Sequence, residues 1–250
     1  MINVSVYLTL ITSIVCVTVS TAISSSISLL SSNAPPLQWQ FKPIPASPSN
    51  KGPLVFLQDN LFVALSEDST GFSTWFYNST SKVWSLPLDK QLPSTECSAS
   101  GRVKMVQLSQ SDGSALLFGG QNCTNLQSYT FTFDLVHGWQ KMSSKNQPPR
   151  RVSHALSYVS DGTVLLFGGQ ALSANKVLLN DTWIYNTDHG WTQHPLTNPP
   201  SARQLPAMTS LSKSKVLMFG GSSTGSSSGV LRDSWILLCC FCNGGIYGIF

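Results

Sequence analysis

The chain has 250 residues, long enough for one sizeable domain. Only 10% of them are charged, far below the usual quarter, which fits a β-rich exported protein and argues against a charged, helical cytosolic one. Net charge is +4. Basic residues are scattered, the densest group (Lys141, Lys145, Arg150 and Arg151) reads as solvated loop charge, and no basic stripe interleaved with aromatics points to nucleic acid.

Residues 1–22 read as a signal peptide. Positions 4–19 are uncharged and mostly apolar, and the small residues Ser20 and Ala22 suit cleavage after Ala22. No Lys or Arg precedes the apolar stretch, so an uncleaved anchor of borderline spanning length is the alternative, and membrane contact is expected only in that case or if the parent chain continues. Residues 23–50 form a Ser/Pro-rich linker expected to be extended. Within it, Leu37-Gln38-Trp39-Gln40-Phe41 has the pattern of a final, closing strand at 37–41, like Gly190-Trp191-Thr192-Gln193 further on.

Residues 51–236 are repetitive. Gly119-Gly120, Gly168-Gly169 and Gly220-Gly221 each end an apolar run and follow one another at 49 and 52 residues. Arg102, Arg151 and Arg203 recur upstream of those runs. Downstream stand Phe131, Trp183 and Trp235, and Trp139 and Trp191 follow the first two of these by eight residues. An earlier unit keeps only the second half of the pattern, with Trp75 and Trp84 as its aromatics. Each unit reads as four short strands, taken in the best copy as a (155–159), b (163–167), c (182–186) and d (191–194). Ser160-Asp161-Gly162 and Ser111-Asp112-Gly113 are a–b hairpin turns, because Asp-Gly accepts positive φ. The glycine pairs are expected to let a large neighbouring side chain lie against bare backbone, and Trp183 and Trp191 to pack between units.

The apolar-Gly-Gly ending, the aromatic opening strand c and the spaced tryptophans resemble the kelch motif, whose period of about 50 residues marks a β-propeller. The resemblance implies an all-β propeller with three to four four-stranded blades and an incomplete ring. In propellers of this type an N-terminal strand often completes the last blade, a role open to Trp39. Some kelch-like propellers resemble galactose oxidase, a copper radical enzyme, but no such set of tyrosine, histidine and cysteine ligands is assignable here. Tyr129, Tyr158 and Tyr185 occupy repeat positions that packing explains.

Sequons at Asn78, Asn122 and Asn180 are expected glycosylation sites on loops or strand edges. Cys97 precedes strand a of its unit and Cys123 follows strand b, so antiparallel pairing brings them to one side; a disulfide and two separate thiols both stay open. The apolar, Cys-rich residues 237–250 break the repeat and are expected to stand outside the fold as a truncation product. His137, His154, His189 and His194 lie at turns or strand edges without metal-site spacing. Arg102, Arg151 and Arg203 have two readings: a cationic ring at the channel mouth forming a candidate binding face, or guanidinium groups tied to carbonyls of the neighbouring blade.

Together these observations predict a secreted or cell-surface propeller, non-enzymatic and without cofactor or metal, that binds a protein or glycan through its b–c loops. The alternatives are a fragment of a galactose-oxidase-like enzyme lacking its catalytic blades, and an intracellular kelch adaptor.

Overall fold

The structure, a computed structural model, describes residues 48, 52–68, 71–92, 103–119, 129–144, 146–173, 175–224, 227–238 and 247–248. The expected signal peptide, the strand at 37–41, Gly120, Arg102, Cys97, Cys123 and Asn122 lie outside these residues.

Strands β1 (Leu54–Phe56), β2 (Leu61–Asp68), β3 (Gly71–Asn78) and β4 (Val83–Ser85) form blade 1, and β5 (Val103–Ser109), β6 (Ser114–Gly119), β7 (Thr130–Asp134) and β8 (Gly138–Met142) form blade 2. A two-residue strand, β9 (Arg151–Val152), leads into blade 3. That blade comprises β10 (Ala155–Ser160), β11 (Thr163–Phe167), β13 (Thr182–Asn186) and β14 (Gly190–Gln193), while β12 (Gln170–Ala171) pairs back onto β9. Blade 4 is β15 (Ala207–Ser212), β16 (Lys215–Phe219), β17 (Ser234–Leu238) and the short β18 (Tyr247–Gly248). Each blade is an antiparallel meander in chain order, and the first strands of successive blades lie side by side, lining a common axis. The described strands thus make four blades of an all-β propeller.

Local chemistry accounts for the strands. The a–b turns put Gly113 at φ +65° and Gly162 at φ +71°, values a side chain resists. Blades 2, 3 and 4 share a bulge one residue before each a–b turn, at Gln107/Ser109, Tyr158/Ser160 and Ser210/Ser212. Period-two alternation then sends one set of side chains toward each neighbouring blade. Leu116 and Phe118 of blade 2 pack with Val164, Leu166, Trp183, Tyr185 and Trp191 of blade 3, whereas Leu165 and Ile184 face Val216 of blade 4. Each such side chain contributes about 1.5–3 kcal/mol on burial.

Two features differ from the sequence reading. The first unit is a whole blade, not a half: β2 pairs with β3 along eight residues, so a tight b–c hairpin replaces the glycine pair and loop. Strand β17 runs two residues past Ile236, and Tyr247–Gly248 pairs with Leu237 and Leu238, so part of the tail belongs to a blade.

A buried ladder links the blades. The Trp139 indole donates to Thr74 Oγ1 of blade 1 at 2.9 Å, and the Trp191 indole donates to Thr130 Oγ1 of blade 2 at 2.8 Å. Thr182 is the next rung, because Thr74, Thr130 and Thr182 each stand one residue before the aromatic of strand c, at Trp75, Phe131 and Trp183. Its donor would come from blade 4, where Gly248 pairs with Leu237 as Trp191 pairs with Tyr185. Thr182 Oγ1 is buried and has no hydrogen-bond partner among the described residues.

The same substitution therefore has opposite consequences at two equivalent sites. Thr130→Val strands a buried indole N–H and is expected to cost about 1–3 kcal/mol, whereas Thr182→Val removes an unpaired hydroxyl and leaves stability unchanged or higher. Urea denaturation of both variants checks this.

Candidate functional site

The strands are a frame, and the variable elements gather at one end: the b–c loops and the segments entering strand a. What fixes this end is a clasp of side chains that each of blades 3 and 4 repeats. Arg151 Nη1 and Nη2 donate to Asp181 Oδ1 and Oδ2 at 2.5 and 2.7 Å, and Nη1 also donates to Gly168 O at 3.0 Å. The Trp183 indole donates to Asp181 Oδ2 at 2.7 Å. In blade 4, Arg203 binds Asp233 at 2.6 and 2.7 Å and Gly220 O at 2.9 Å, and the Trp235 indole donates to Asp233 Oδ2 at 2.6 Å. The planar fork of arginine matches a carboxylate in this two-point geometry.

The electrostatics follow from those contacts. Burial pushes the Asp181 carboxyl up, but the hydrogen bonds and charge of Arg151 and the Trp183 indole outweigh it and hold the group below its ordinary value. For Asp233 the hydrogen bond from Arg203 leads, against some desolvation, and the pKa falls to about 2.

The two described arginines therefore do not form a cationic ring at the channel mouth. Arg151 and Arg203 are fully buried and already paired, so neither offers charge to a ligand. Their carbonyl partners, Gly168 and Gly220, also belong to their own blades and not to the neighbour's. The neighbour is reached through backbone instead: Gly169 N donates to Arg203 O at 2.8 Å, and Arg203 N donates to Leu179 O at 3.1 Å. Sequence reading missed Asp181 and Asp233. The available signal was an acid immediately before Thr182-Trp183 and Ser234-Trp235, 30 residues after each arginine.

The glycine pairs are approached mainly by backbone. Gly168 and Gly169 sit at φ +64° and +97°, and a Cβ would lie 2.8 Å from Arg203 O at the first and 2.8 Å from Val152 O at the second. Gly119 instead faces the His154 ring, whose Cε1 lies 2.6 Å from where a Cβ would stand. His154 is thus not an edge residue. It is fully buried, against Phe118 with ring centroids 5.4 Å apart. Burial first, then the charges of Arg151 and Lys104, lower its pKa to about 3, so the ring is neutral.

Above this frame the loops form their own ladder. Gln170 bridges to Leu178, Ala171 N donates to Val177 O at 2.8 Å, and Ser222 bridges both Gln204 and Val230. Val177, Leu205 and Val230 are exposed on it, at 52%, 63% and 58%. Leu205 holds φ +56° and Ser153, its equivalent in blade 3, φ +58°. Left-handed backbone is unfavourable for a branched side chain, and such strain clusters at functional surfaces. Leu205 N is locked to Ser153 O at 2.7 Å.

The remaining predicted residues are placed as follows. Asn180 is exposed on the b–c loop of blade 3. Asn78 ends β3 half-buried, its Oδ1 accepting from Thr80 N and Ser81 N at 2.9 Å each. Trp75 donates its indole N–H to Ser73 Oγ at 3.0 Å, Ser73 holding the place of Asp181. Trp191 is buried against Phe118 and Tyr185, at centroid distances of 5.0 and 5.4 Å. Among the described residues, no group of three or more His, Cys, Asp or Glu side chains is arranged to hold a metal ion.

Two tests probe the frame beneath this face. Asp181→Ala leaves Arg151 buried and unpaired and is expected to cost about 3–5 kcal/mol in denaturant unfolding, while the double change Arg151→Met/Asp181→Leu costs much less. For His154, the folded pKa of about 3 lies below the ordinary 6.5, so the unfolded chain binds the extra proton between those values. Stability is full above pH 6.5 and falls by about 1.4 kcal/mol per pH unit as the pH drops toward 3. His154→Leu is expected to flatten that acid limb in pH-dependent melts.

The KLHDC2/KLHL20/DRC7 Kelch-repeats domain matches residues 64–239. The chain is 31% identical over 131 residues to "Putative adagio-like protein 2" of Oryza sativa subsp. japonica, aligning 49% of this chain with 20% of that protein. It is 32% identical over 96 residues to an F-box/kelch-repeat protein of Arabidopsis thaliana, aligning 36% of this chain with 19% of that one. The chain thus spans about a fifth of the length of these curated relatives. Among solved structures, YjhT matches with a TM-score of 0.46 at 10% identity, covering 75% of this chain and 80% of that one. A fungal alcohol oxidase in complex with copper gives 0.47 at 10% identity, covering 74% and 50%. With repeats, clasps and paired glycines in register and a family match across well over half its length, the chain belongs to the kelch-repeat family.

Proposed function

We propose that this chain is a non-enzymatic binding module, exported from the cell, whose ligand is a protein engaged by the b–c loop face. One observation carries the reading: Val177, Leu205 and Val230 stand exposed on a hydrogen-bonded loop ladder whose supporting frame is buried and charge-paired. Exposed apolar side chains on a rigid support suit a protein surface better than a sugar, which is matched by hydrogen-bond donors and acceptors. The b–c loops also differ in length and sequence while the strands beneath them repeat, which is where a scaffold carries specificity. Export rests on the apolar leader and on the exposed sequon at Asn180. The second reading, an intracellular adaptor, draws on the F-box/kelch relative.

Two measurements separate these. In a secretory cell line the full chain is expected in the medium, with a gel shift on glycosidase treatment that Asn180→Gln reduces; an unglycosylated protein kept in the cytosol supports the adaptor. A photo-crosslinking residue at position 205 is expected to trap a protein from the native extracellular fluid, and Val177→Asp/Val230→Asp to abolish the adduct. Adducts unchanged by those substitutions overturn the assigned face.

A further inference from the structure

The outer seam between blades 1 and 2 is filled, and the same seam between blades 2 and 3 is open. In the first, the connector leaving β4 makes one 3-10 turn at Leu88–Lys90 and lays Gln91 and Leu92 over β3. Gln91 Oε1 accepts from Thr74 N at 2.8 Å, and its Nε2 donates to Thr74 O at 3.2 Å. Leu92 N donates to Thr74 Oγ1 at 3.3 Å, and the Leu92 side chain is buried in one cluster with Phe133 and Trp139 of blade 2.

One blade on, Thr130, Tyr185 and Trp191 hold the places of Thr74, Phe133 and Trp139. The connector leaving β8 again passes the glycine that opens strand d. A Cβ on Gly190 would stand 3.0 Å from Ser144 Oγ, as one on Gly138 would stand 3.3 Å from Lys90 Cδ. Here, however, a cavity of about 420 Å³ opens beside Thr130, Tyr185 and Trp191, within the size range of small-molecule sites.

The chemistry of its walls differs from the filled seam as well. Phenylalanine at position 133 becomes tyrosine at position 185. Tyr185 is 2% exposed, and its hydroxyl has no hydrogen-bond partner among the described residues. Burial pushes this phenol's pKa up, so it stays protonated and donates. A donor at that depth is unfavourable until something accepts from it. Around it Ser143 and Thr187 offer hydroxyls, Asn146 an amide and Asp188 a carboxylate, and none of these side chains has a partner among the described residues. An apolar guest would leave the set desolvated and unpaired, and the Asp188 carboxylate disfavours an anion. A neutral ring bearing several hydroxyls satisfies it: neighbouring hydroxyls donate to the two carboxylate oxygens and accept from the phenol and the amide.

We propose that this cavity is a sugar subsite, taking a neutral pyranose between blades 2 and 3 with Tyr185, Asn146 and Asp188 as its polar contacts. Val177, Leu205 and Val230 do not line it, so it stands apart from the face proposed for a protein ligand.

Saturation-transfer difference NMR on the purified full chain tests this. The probes are the methyl glycosides of glucose, galactose, mannose and N-acetylglucosamine, and thermal melting is the folding check. Transfer to at least one glycoside is expected. Tyr185→Phe keeps the ring that blade 2 carries at this place, and Asp188→Ala lies in an exposed turn, so both are expected to fold. Each is expected to weaken binding by about tenfold. Repeating the titration with a trisaccharide ending in the bound sugar separates two sources. Tighter binding of the trisaccharide assigns the terminus of a glycan, and equal or weaker binding a free sugar. A chain that shows transfer to none of the four glycosides overturns the proposal, as does binding that folded Tyr185→Phe or Asp188→Ala leaves unchanged.

Discussion

A Cβ on Gly169 would stand 2.8 Å from Val152 O, and one on Gly168 2.8 Å from Arg203 O. Everything at the loop end of blades 3 and 4 depends on that absence of side chain. With bare backbone at the end of strand b, the segment entering the next blade comes close enough for Gly169 N to donate to Arg203 O. The residue brought there is an arginine whose guanidinium turns back into its own blade. Its side chain thus ties strands b and c of one sheet while its backbone ties that sheet to the one before. The charge is tolerated at full burial because a carboxylate and two backbone carbonyls satisfy its donors.

Much of this was legible in the amino-acid order. Strands 155–159, 163–167 and 182–186 fall within one residue of β10, β11 and β13, because Asp-Gly turns and paired glycines punctuate them on both sides. The first blade was read as half a unit, since its b–c hairpin dispenses with the glycine pair used as the marker. Asp181 and Asp233 escaped notice because an acid in a polar loop resembles solvated charge until a buried arginine is placed beside it. For the same reason Arg151 and Arg203 could be read as ligand-facing: periodicity locates a residue along the chain but does not say on which side of a strand entrance the side chain turns. His154 differs again. Its burial comes from the neighbouring blade, and nothing local in Ser153-His154-Ala155 announces it.

Loop variability in the sequence marks the loop end only as a candidate face, whereas Leu205 stands out through a left-handed backbone on an exposed branched residue. That combination has a cost in the free chain, and the hydrogen bond to Ser153 O keeps it fixed. The loops above the frame are therefore anchored by the same arginine segments that join the blades.

The a–b turns add a link of a different kind. Gly162 N donates to Leu108 O at 2.9 Å, and Asp161 Oδ1 accepts from Gln110 N at 2.8 Å, so the turn of blade 3 grips the bulged strand of blade 2. Blades 2 and 3 are each gripped by two neighbours, so opening either one severs two seams at once, and their amide protons are held closed by the whole array rather than by a single sheet.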